Sequence, residues 1–286
     1  MWILFSFLTA VCEAIKDGLC KKSLINFDFF TISWAWKVFS LPFILPLIFF
    51  TPIPEYLSGE FWMALLVGGS LNILATLLYV RAINLSDLSI TLPLLSFTPV
   101  FLLVTSPVMV GDIPNLSGYA GVFFIFAGSY LLGVKDRSTI ISPFKAIVKE
   151  PGARLMLLVA LIWSVAANMD KIGVMATSPF FWAVCVQSFI SLGLTIVLFF
   201  KRSALRGRTG GNLKLLILIG FFTGAGFVFQ MTAIQTGLVP YVIAIKRTSI
   251  IMGVLIGGLY FMEKDLKTRI TAVAVMLAGV FLIAVS

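Results

Sequence analysis

Two adjacent cations, Lys246 and Arg247, interrupt an otherwise apolar stretch that reads AIKRTSIIMG over residues 244–253. Each charge at the centre of a membrane helix costs roughly 2.5–3.5 kcal/mol on insertion scales, so a charge placed there usually has a partner or a task. The guanidinium of arginine is a planar fork of N–H groups and the ammonium of lysine is a compact point charge, and together they suit a phosphate or a carboxylate. The pair therefore predicts a site for an anionic group of a bound solute.

The charged residues that lie within apolar stretches do not balance. Basic residues at the ends that the charge pattern assigns to the cytoplasm are left out of this count, namely Arg81, Arg154, Lys214 and Arg269. The remaining cations are Lys16, Lys37, Lys171, Lys246 and Arg247, and the anions are Glu13, Asp17 and Asp170. If each anion takes one cation, five minus three leaves two cations, which an anionic group of a substrate would neutralise. The alternative is that Lys246 pairs with Glu13 or Asp170 across helices and only locks the helix bundle.

Glu13, Lys16 and Asp17 are three and four residues apart along the first apolar stretch, so all three can share one face of a helix. A salt bridge between Glu13 and Lys16 is the structural interpretation. The functional interpretation is that Glu13, or Asp170 in the sixth apolar stretch, binds and releases a coupling proton or takes an ammonium group of the substrate.

The residues that follow Lys246 at helical spacing are small. Ser249, Gly253 and Gly257 fall on its face of a helix, and Arg247 lies about 100° to one side. This face could border a solute, or its two glycines could pack closely against another helix.

Aromatic side chains could line a solute cavity, although packing and interfacial anchoring are the alternatives. The complete set of predicted substrate-binding residues is Lys246, Arg247, Glu13, Lys16, Lys37, Ser249, Tyr241, Trp163 and Tyr79, with Glu13 and Asp170 as the candidates for coupling.

The composition is that of a membrane protein. Of 286 residues 60% are hydrophobic and 12% are charged, against roughly 45–50% and about 25% in soluble domains. The chain has no histidine, and Cys12, Cys20 and Cys185 are isolated, so neither a metal site nor a cofactor is predicted. An intramembrane enzyme would need a cluster of acid, base and nucleophile, and the sequence predicts no enzyme.

The apolar stretches predict an all-α integral membrane protein with ten transmembrane helices. They lie near residues 2–20, 28–50, 61–83, 88–110, 118–134, 154–173, 180–200, 214–235, 240–261 and 269–285. Alternate turns carry the lysines and arginines and the others carry none, which predicts a multi-pass protein of the cell membrane with cytoplasmic basic loops and both termini outside. The net charge of +9 is then a result of topology, and nucleic acid is not a predicted partner.

The two halves of the chain repeat each other. At an offset of 151 residues, 69–134 aligns with 220–285 without a gap, and AGSYLLGV falls on AGVFLIAV near the end of each half. We predict two five-helix repeats, 1–137 and 154–286, joined by a cytoplasmic linker at 138–153. Because five is odd, the second repeat is inverted, which is typical of transporters that work by alternating access.

The same alignment places Asp112 on Glu263. Both precede a predicted helix, the fifth and the tenth, where a carboxylate can cap the helix N-terminus.

In these features the sequence resembles the drug/metabolite transporter superfamily, and in particular its family with two tandem EamA domains. The residues that carry the resemblance are 85–134, 236–285 and the ALIW motif at 160–163. The resemblance implies a secondary transporter of small solutes with a central cavity. The Lys246–Arg247 pair is similar to one that sugar-phosphate translocators carry on the equivalent helix, where it binds the substrate phosphate.

Taken together, these patterns predict a secondary transporter of a small organic metabolite, preferably anionic or zwitterionic. The alternative is a lipid-linked or drug exporter, or a flippase, of the same fold, in which the intramembrane charges serve as structural ion pairs. The predicted partners are the small-molecule substrate and membrane lipid, and the sequence makes no prediction of oligomeric state.

Overall fold

The computed structural model describes residues 1–23, 27, 29–86, 91–133, 149–200, 213–252 and 266–286. Every regular element in these ranges is helical, and each of the ten predicted apolar stretches contains helix. The α-helices are α1 Trp2–Ser23, α2 Phe29–Val38, α3 Leu41–Ile44, α4 Gly59–Met63, α5 Gly69–Leu85, α6 Phe97–Met109, α7 Leu116–Gly133, α8 Pro151–Ala176, α9 Pro179–Phe200, α10 Leu213–Thr236, α11 Val239–Lys246 and α12 Leu266–Ala284. Two 3-10 stretches, Leu45–Phe50 and Leu92–Ser96, and one π stretch, Ala64–Gly68, adjoin them.

Several helical segments are long and apolar enough to cross a membrane. Within the described ranges there are five of them, namely Phe30–Phe50, Gly59–Leu85, Pro151–Ala176, Pro179–Phe200 and Leu213–Thr236. Shorter apolar helices cover Pro93–Met109, Leu116–Leu132 and Thr271–Ala284. Large apolar side chains such as Phe50 and Val108 are exposed, as lipid-facing side chains would be.

The chain divides into two compact units. The first unit comprises Met1–Leu77 and Met169–Thr236, and the second comprises Leu78–Asn168 and Gly237–Ser286. Each unit therefore combines segments from both predicted repeats.

In the first unit, α1 packs antiparallel to α10. The rings of Phe5 and Phe229 stack with centroids 6.1 Å apart, and one turn further along α1 the hydroxyl of Thr9 donates to the carbonyl of Gly226 at 3.4 Å. Gly226 allows this approach, because a Cβ there would lie 2.9 Å from the Cβ of Cys12.

The α2–α3 segment of the first unit packs antiparallel to α9 and is broken near its middle. Proline at position 42 has no N–H to bond the carbonyl four residues earlier, so α2 ends at Val38 and α3 begins after a turn at Phe39 and Ser40. On the N-terminal side of the break, Ala35 forms a buried apolar cluster with Leu216 and Ile219 of α10.

In the second unit, α7 packs antiparallel to α12 through glycines. A Cβ added to Gly279 would lie 2.6 Å from the carbonyl oxygen of Gly121, and a Cβ added to Gly128 would lie 2.6 Å from the carbonyl oxygen of Ala272. The two backbones are thus too close for larger residues at these positions.

Candidate functional site

Lys16 forms a compact charged cluster on α1 with two carboxylates of its own helix. Its ammonium lies 2.5 Å from Glu13 and 3.1 Å from Asp17, and it sits 5.0 Å from the ring centroid of Trp36 on α2. The spacing of Glu13 and Lys16 had predicted this salt bridge. Lys16 is only 8% exposed, so its charge is balanced by contacts within the first unit.

Lys37 reaches an aromatic ring of another helix in the same unit. It lies near the end of α2, and its ammonium is 5.7 Å from the ring centroid of Phe227 on α10. Such a contact holds the cation over the negative face of the ring. Two neighbouring residues of α2 thus take part in cation–aromatic contacts, Trp36 as the ring that covers Lys16 and Lys37 as the cation over Phe227.

Asp170 and Lys171 each have a partner that the sequence did not reveal. The carboxylate of Asp170 accepts a hydrogen bond from the indole N–H of Trp182 at 3.0 Å, and both residues are buried. The ammonium of Lys171 donates to the carbonyl of Ile234 at 2.8 Å. Aromatic and backbone partners leave no charge pattern in a sequence, which is why charge counting missed them.

Lys246 and Arg247 lie in the second unit at the point where α11 changes its hydrogen bonding. Lys246 ends the α-helix, and the next amides bond three residues back: Thr248 to Ile245 at 2.9 Å and Ile251 to Thr248 at 2.9 Å. The guanidinium of Arg247 donates from Nη2 to the hydroxyl of Thr98 on α6 at 3.1 Å.

A similar irregularity occurs at the matching position of the first repeat. The 3-10 stretch Leu92–Ser96 corresponds, at the offset of 151, to 243–247, and Leu95 and Ser96 are the counterparts of Lys246 and Arg247. Pro93 lies in this stretch, and because it has no N–H it removes one α-helical hydrogen bond there. Ser249 is buried, whereas Gly253, Gly257 and Glu263 lie outside the described residues.

Asp112 caps a helix, but not the one that the sequence predicted. Its carboxylate accepts the backbone N–H of Val239 at 2.7 Å, so it caps the N-terminus of α11 and not that of α7. Asn115 caps α7 instead, because its side-chain oxygen accepts the N–H of Gly118 at 2.8 Å. The prediction that Asp112 caps the fifth helix is therefore wrong: it considered only the helix nearest along the chain.

The predicted aromatic residues contact other helices of the second unit. The rings of Tyr79 and Trp163 have centroids 5.7 Å apart, which joins α5 to α8. Tyr241 packs its hydroxyl end against Gly118 of α7, where a Cβ would overlap it. Each of the three side chains therefore contacts a helix other than its own.

Two buried polar side chains join helices and were not singled out as site residues. The amide of Asn168 on α8 accepts from Ser106 at 2.7 Å and donates to Thr105 at 3.0 Å, both on α6. Gln187 on α9 donates to Ser40 at 2.9 Å. In the part of the chain that the structure describes, no three His, Cys, Asp or Glu side chains converge as metal ligands would.

Comparisons with known proteins agree with this architecture. The family described as the EamA-like transporter family matches residues 1–134 and 150–285. An "Uncharacterized transporter" of Archaeoglobus fulgidus is 21% identical over 286 residues, which is 98% of this chain and 97% of that protein. An "Uncharacterized transporter in cobO 3'region" of a Sinorhizobium species is 29% identical over 138 residues, 46% of this chain and 96% of that protein.

A solved structure described as "Crystal structure of protein" has a similar fold. Its TM-score is 0.78 at 12% identity, with 99% of this chain and 97% of that chain covered. Because the family match spans both halves of the sequence and the helices are apolar, this multi-pass membrane protein belongs to the EamA-like transporter family.

Proposed function

We propose that the protein is a secondary transporter that moves a small organic metabolite, preferably anionic or zwitterionic, by alternating access around a central cavity. The transporter family supplies the general activity. Ten spanning helices in two inverted five-helix repeats, basic loops in the cytoplasm and both termini outside are part of the proposal.

The α7–α12 contact supports the inverted repeat. Position 121 corresponds to 272 at the offset of 151, and 128 corresponds to 279. The contact between Gly121 and Gly279 therefore maps onto the contact between Ala272 and Gly128. A pair of contacts that exchange in this way, between antiparallel helices, is what a two-fold relation between repeats produces.

The observation that carries the preference for an anion is the position of Lys246 and Arg247. They lie side by side where α11 loses α-helical bonding, and Arg247 is directed onto α6 by Thr98. Irregular backbone within a membrane span is typical of substrate sites. The first repeat has an irregularity at the matching place with neutral residues, so the fold has no need of two cations there.

The other predicted site residues have subsidiary roles in the proposal. Glu13 and Asp170 bind an ammonium group of the substrate or carry a coupling proton. Lys16 holds Glu13 in place. Lys37 attracts the anionic group of the substrate, and Ser249, Tyr79, Trp163 and Tyr241 shape the path that it takes.

The alternative function is a lipid-linked or drug exporter, or a flippase, in which the charges are structural. The cluster of Glu13, Lys16 and Asp17 favours it, because these charges already form ion pairs within α1. The alternative predicts that neutral or cationic compounds bind and that Lys246 and Arg247 serve stability.

The test compares substitutions of the two cations with a matched surface arginine. We expect Lys246→Gln and Arg247→Gln to reduce counterflow of phosphorylated or carboxylated metabolites in liposomes by at least about tenfold, since a charge-assisted bond is lost. Arg154→Gln, at an exposed position of α8, should leave counterflow unchanged. Gross misfolding of both variants, or thermal stabilisation of the wild type by neutral or cationic compounds alone, would contradict the proposal.

A further inference from the structure

The break between α2 and α3 is bordered by a polar side chain of α9, that of Gln187. Gln187 donates to the hydroxyl of Ser40 at 2.9 Å and more weakly to the carbonyl of Lys37 at 3.5 Å. Ser40 is also the central residue of the apolar segment Phe30–Phe50. The helix is therefore interrupted near the middle of a membrane-length segment, which is where discontinuous helices of transporters bind their solutes.

Two hydrogen bonds fix the register of α2 against α9. Ser40 lies opposite Gln187, and the indole of Trp34 donates to Thr195 at 3.0 Å. Residue 191 is midway between 187 and 195, and residue 37 is midway between 34 and 40. Ser191 is thus level with Lys37, and one helical turn separates it from Gln187. Ser33 lies one turn before Lys37 and shares its face of α2. We call the strip formed by Ser33, Lys37, Gln187 and Ser191 the α2–α9 seam.

Three polar atoms of the α2–α9 seam are buried without a hydrogen bond. They are the hydroxyls of Ser33 and Ser191 and the side-chain carbonyl oxygen of Gln187, none of which finds a partner in the described ranges. Their residues are 1%, 2% and 0% exposed. The amide N–H groups of Gln187 face Ser40 and the Lys37 carbonyl, which fixes its oxygen on the other side. Buried polar atoms are normally satisfied by protein groups or by ordered water, so three that are not require a specific explanation.

The chemistry of these atoms selects the ligand. A carbonyl oxygen needs a hydrogen-bond donor, and a serine hydroxyl can both donate and accept. A hydroxyl group of a ligand meets both needs. The cation of Lys37, level with Ser191 and beside Phe227, opposes a metal ion among these oxygens and favours an anion nearby. We propose that the α2–α9 seam is a subsite for a hydroxyl group of a small hydroxylated anion, a deepening that rests on the proposed function.

Matched pairs of compounds test the subsite. The probes are glycerate against propionate and glycerol 3-phosphate against propyl phosphate, each titrated into the purified full-length protein with thermal unfolding as the readout. We expect the hydroxylated member of at least one pair to bind about tenfold more tightly, because its absence leaves the buried seam atoms unsatisfied. Ser191→Ala should reduce the ratio of the two affinities within a pair, and Gln187→Leu should bring that ratio to one. Binding of the unhydroxylated member of the pair should not change in either variant.

The control is Thr195→Ala, one turn beyond Ser191 and bonded to Trp34, which should keep the ratio. If Gln187→Leu fails to fold, Ser191→Ala decides the matter alone. The subsite is overturned if the wild type binds both members of each pair equally, or if Ser191→Ala leaves the ratio unaltered. It is also overturned if sodium chloride stabilises the wild type but not Ser191→Ala, because an inorganic ion would then occupy the seam. Binding of none of the four anions would overturn the anion preference of the proposed function, and the subsite with it.

Discussion

Lys16 and Arg247 are both cations within apolar helices, and their surroundings differ. Lys16 lies between two carboxylates of its own helix and beneath an indole ring. Arg247 is held by the neutral hydroxyl of a threonine from another helix. The first arrangement balances the charge locally and stabilises α1, whereas the second directs a charge onto a neighbouring helix. Intramembrane cations of one protein can therefore have different tasks, and their partners tell them apart.

The largest effect on stability is expected when the balanced cation is removed. Lys16→Met leaves Glu13 and Asp17 facing each other, and we expect a loss near the lower end of the roughly 3–5 kcal/mol seen for broken buried ion pairs. The lower end applies because the side chains of Glu13 and Asp17 are 26% and 61% exposed. Thermal unfolding in detergent measures the loss. The double variant Glu13→Gln with Lys16→Met should be more stable than Lys16→Met alone, and a less stable double variant would refute the pairing.

An intermediate effect is expected where a carboxylate caps α11, the helix that carries Arg247. Asp112→Ala removes the acceptor of the Val239 N–H, and loss of a helix cap costs roughly 0.5–2 kcal/mol. Asp112→Asn keeps an acceptor oxygen and should recover more than half of that loss in the same unfolding assay. Equal stability of both variants and the wild type would show that the contact contributes nothing.

An effect of comparable size is expected at the ring that covers Lys16. Trp36→Leu keeps an apolar side chain but removes the cation–π contact, which is worth about 0.5–2 kcal/mol. Combining it with Lys16→Met tests the cause. If the contact is real, the double variant should lose less stability than the sum of the losses in the two single variants. Full additivity would assign the effect of Trp36 to packing alone.

The smallest effect on stability is expected at Arg247, and this sharpens the contrast with Lys16. Arg247→Gln can keep a hydrogen bond to Thr98, so thermal stability should change by less than about 1 kcal/mol while counterflow falls. A loss of stability as large as that of Lys16→Met would indicate that both cations serve mainly to stabilise the fold. That outcome would favour the alternative function.

The sequence predicted the fold well where the signal was local. Apolar stretches gave the helical segments, and the spacing of Glu13 and Lys16 gave their salt bridge. These features depend on residues within one or two turns of each other, which a single sequence displays directly.

Long-range contacts could not be predicted in the same way. Asp112 was expected to cap the helix that follows it and instead caps one that begins 127 residues later. The indole of Trp182 at Asp170 and the carbonyl of Ile234 at Lys171 carry no charge, so counting opposite charges overlooked them. The buried atoms of the α2–α9 seam were equally hidden, because an alternation of serine and apolar residues looks the same whether or not partners are present.

The division of the chain between the two units determines the order in which each unit receives its helices during synthesis. All segments of the first unit are synthesised by Thr236, whereas the second unit still lacks α11 and α12 at that point. Residues 1–137 alone would contain α1 without α10 and α7 without α12, each missing the helix against which it packs. Asn115, which follows α6, also donates to the carbonyl of Ser286, two residues beyond α12, at 3.0 Å. The second unit therefore cannot complete its helix packing before α12 has been synthesised.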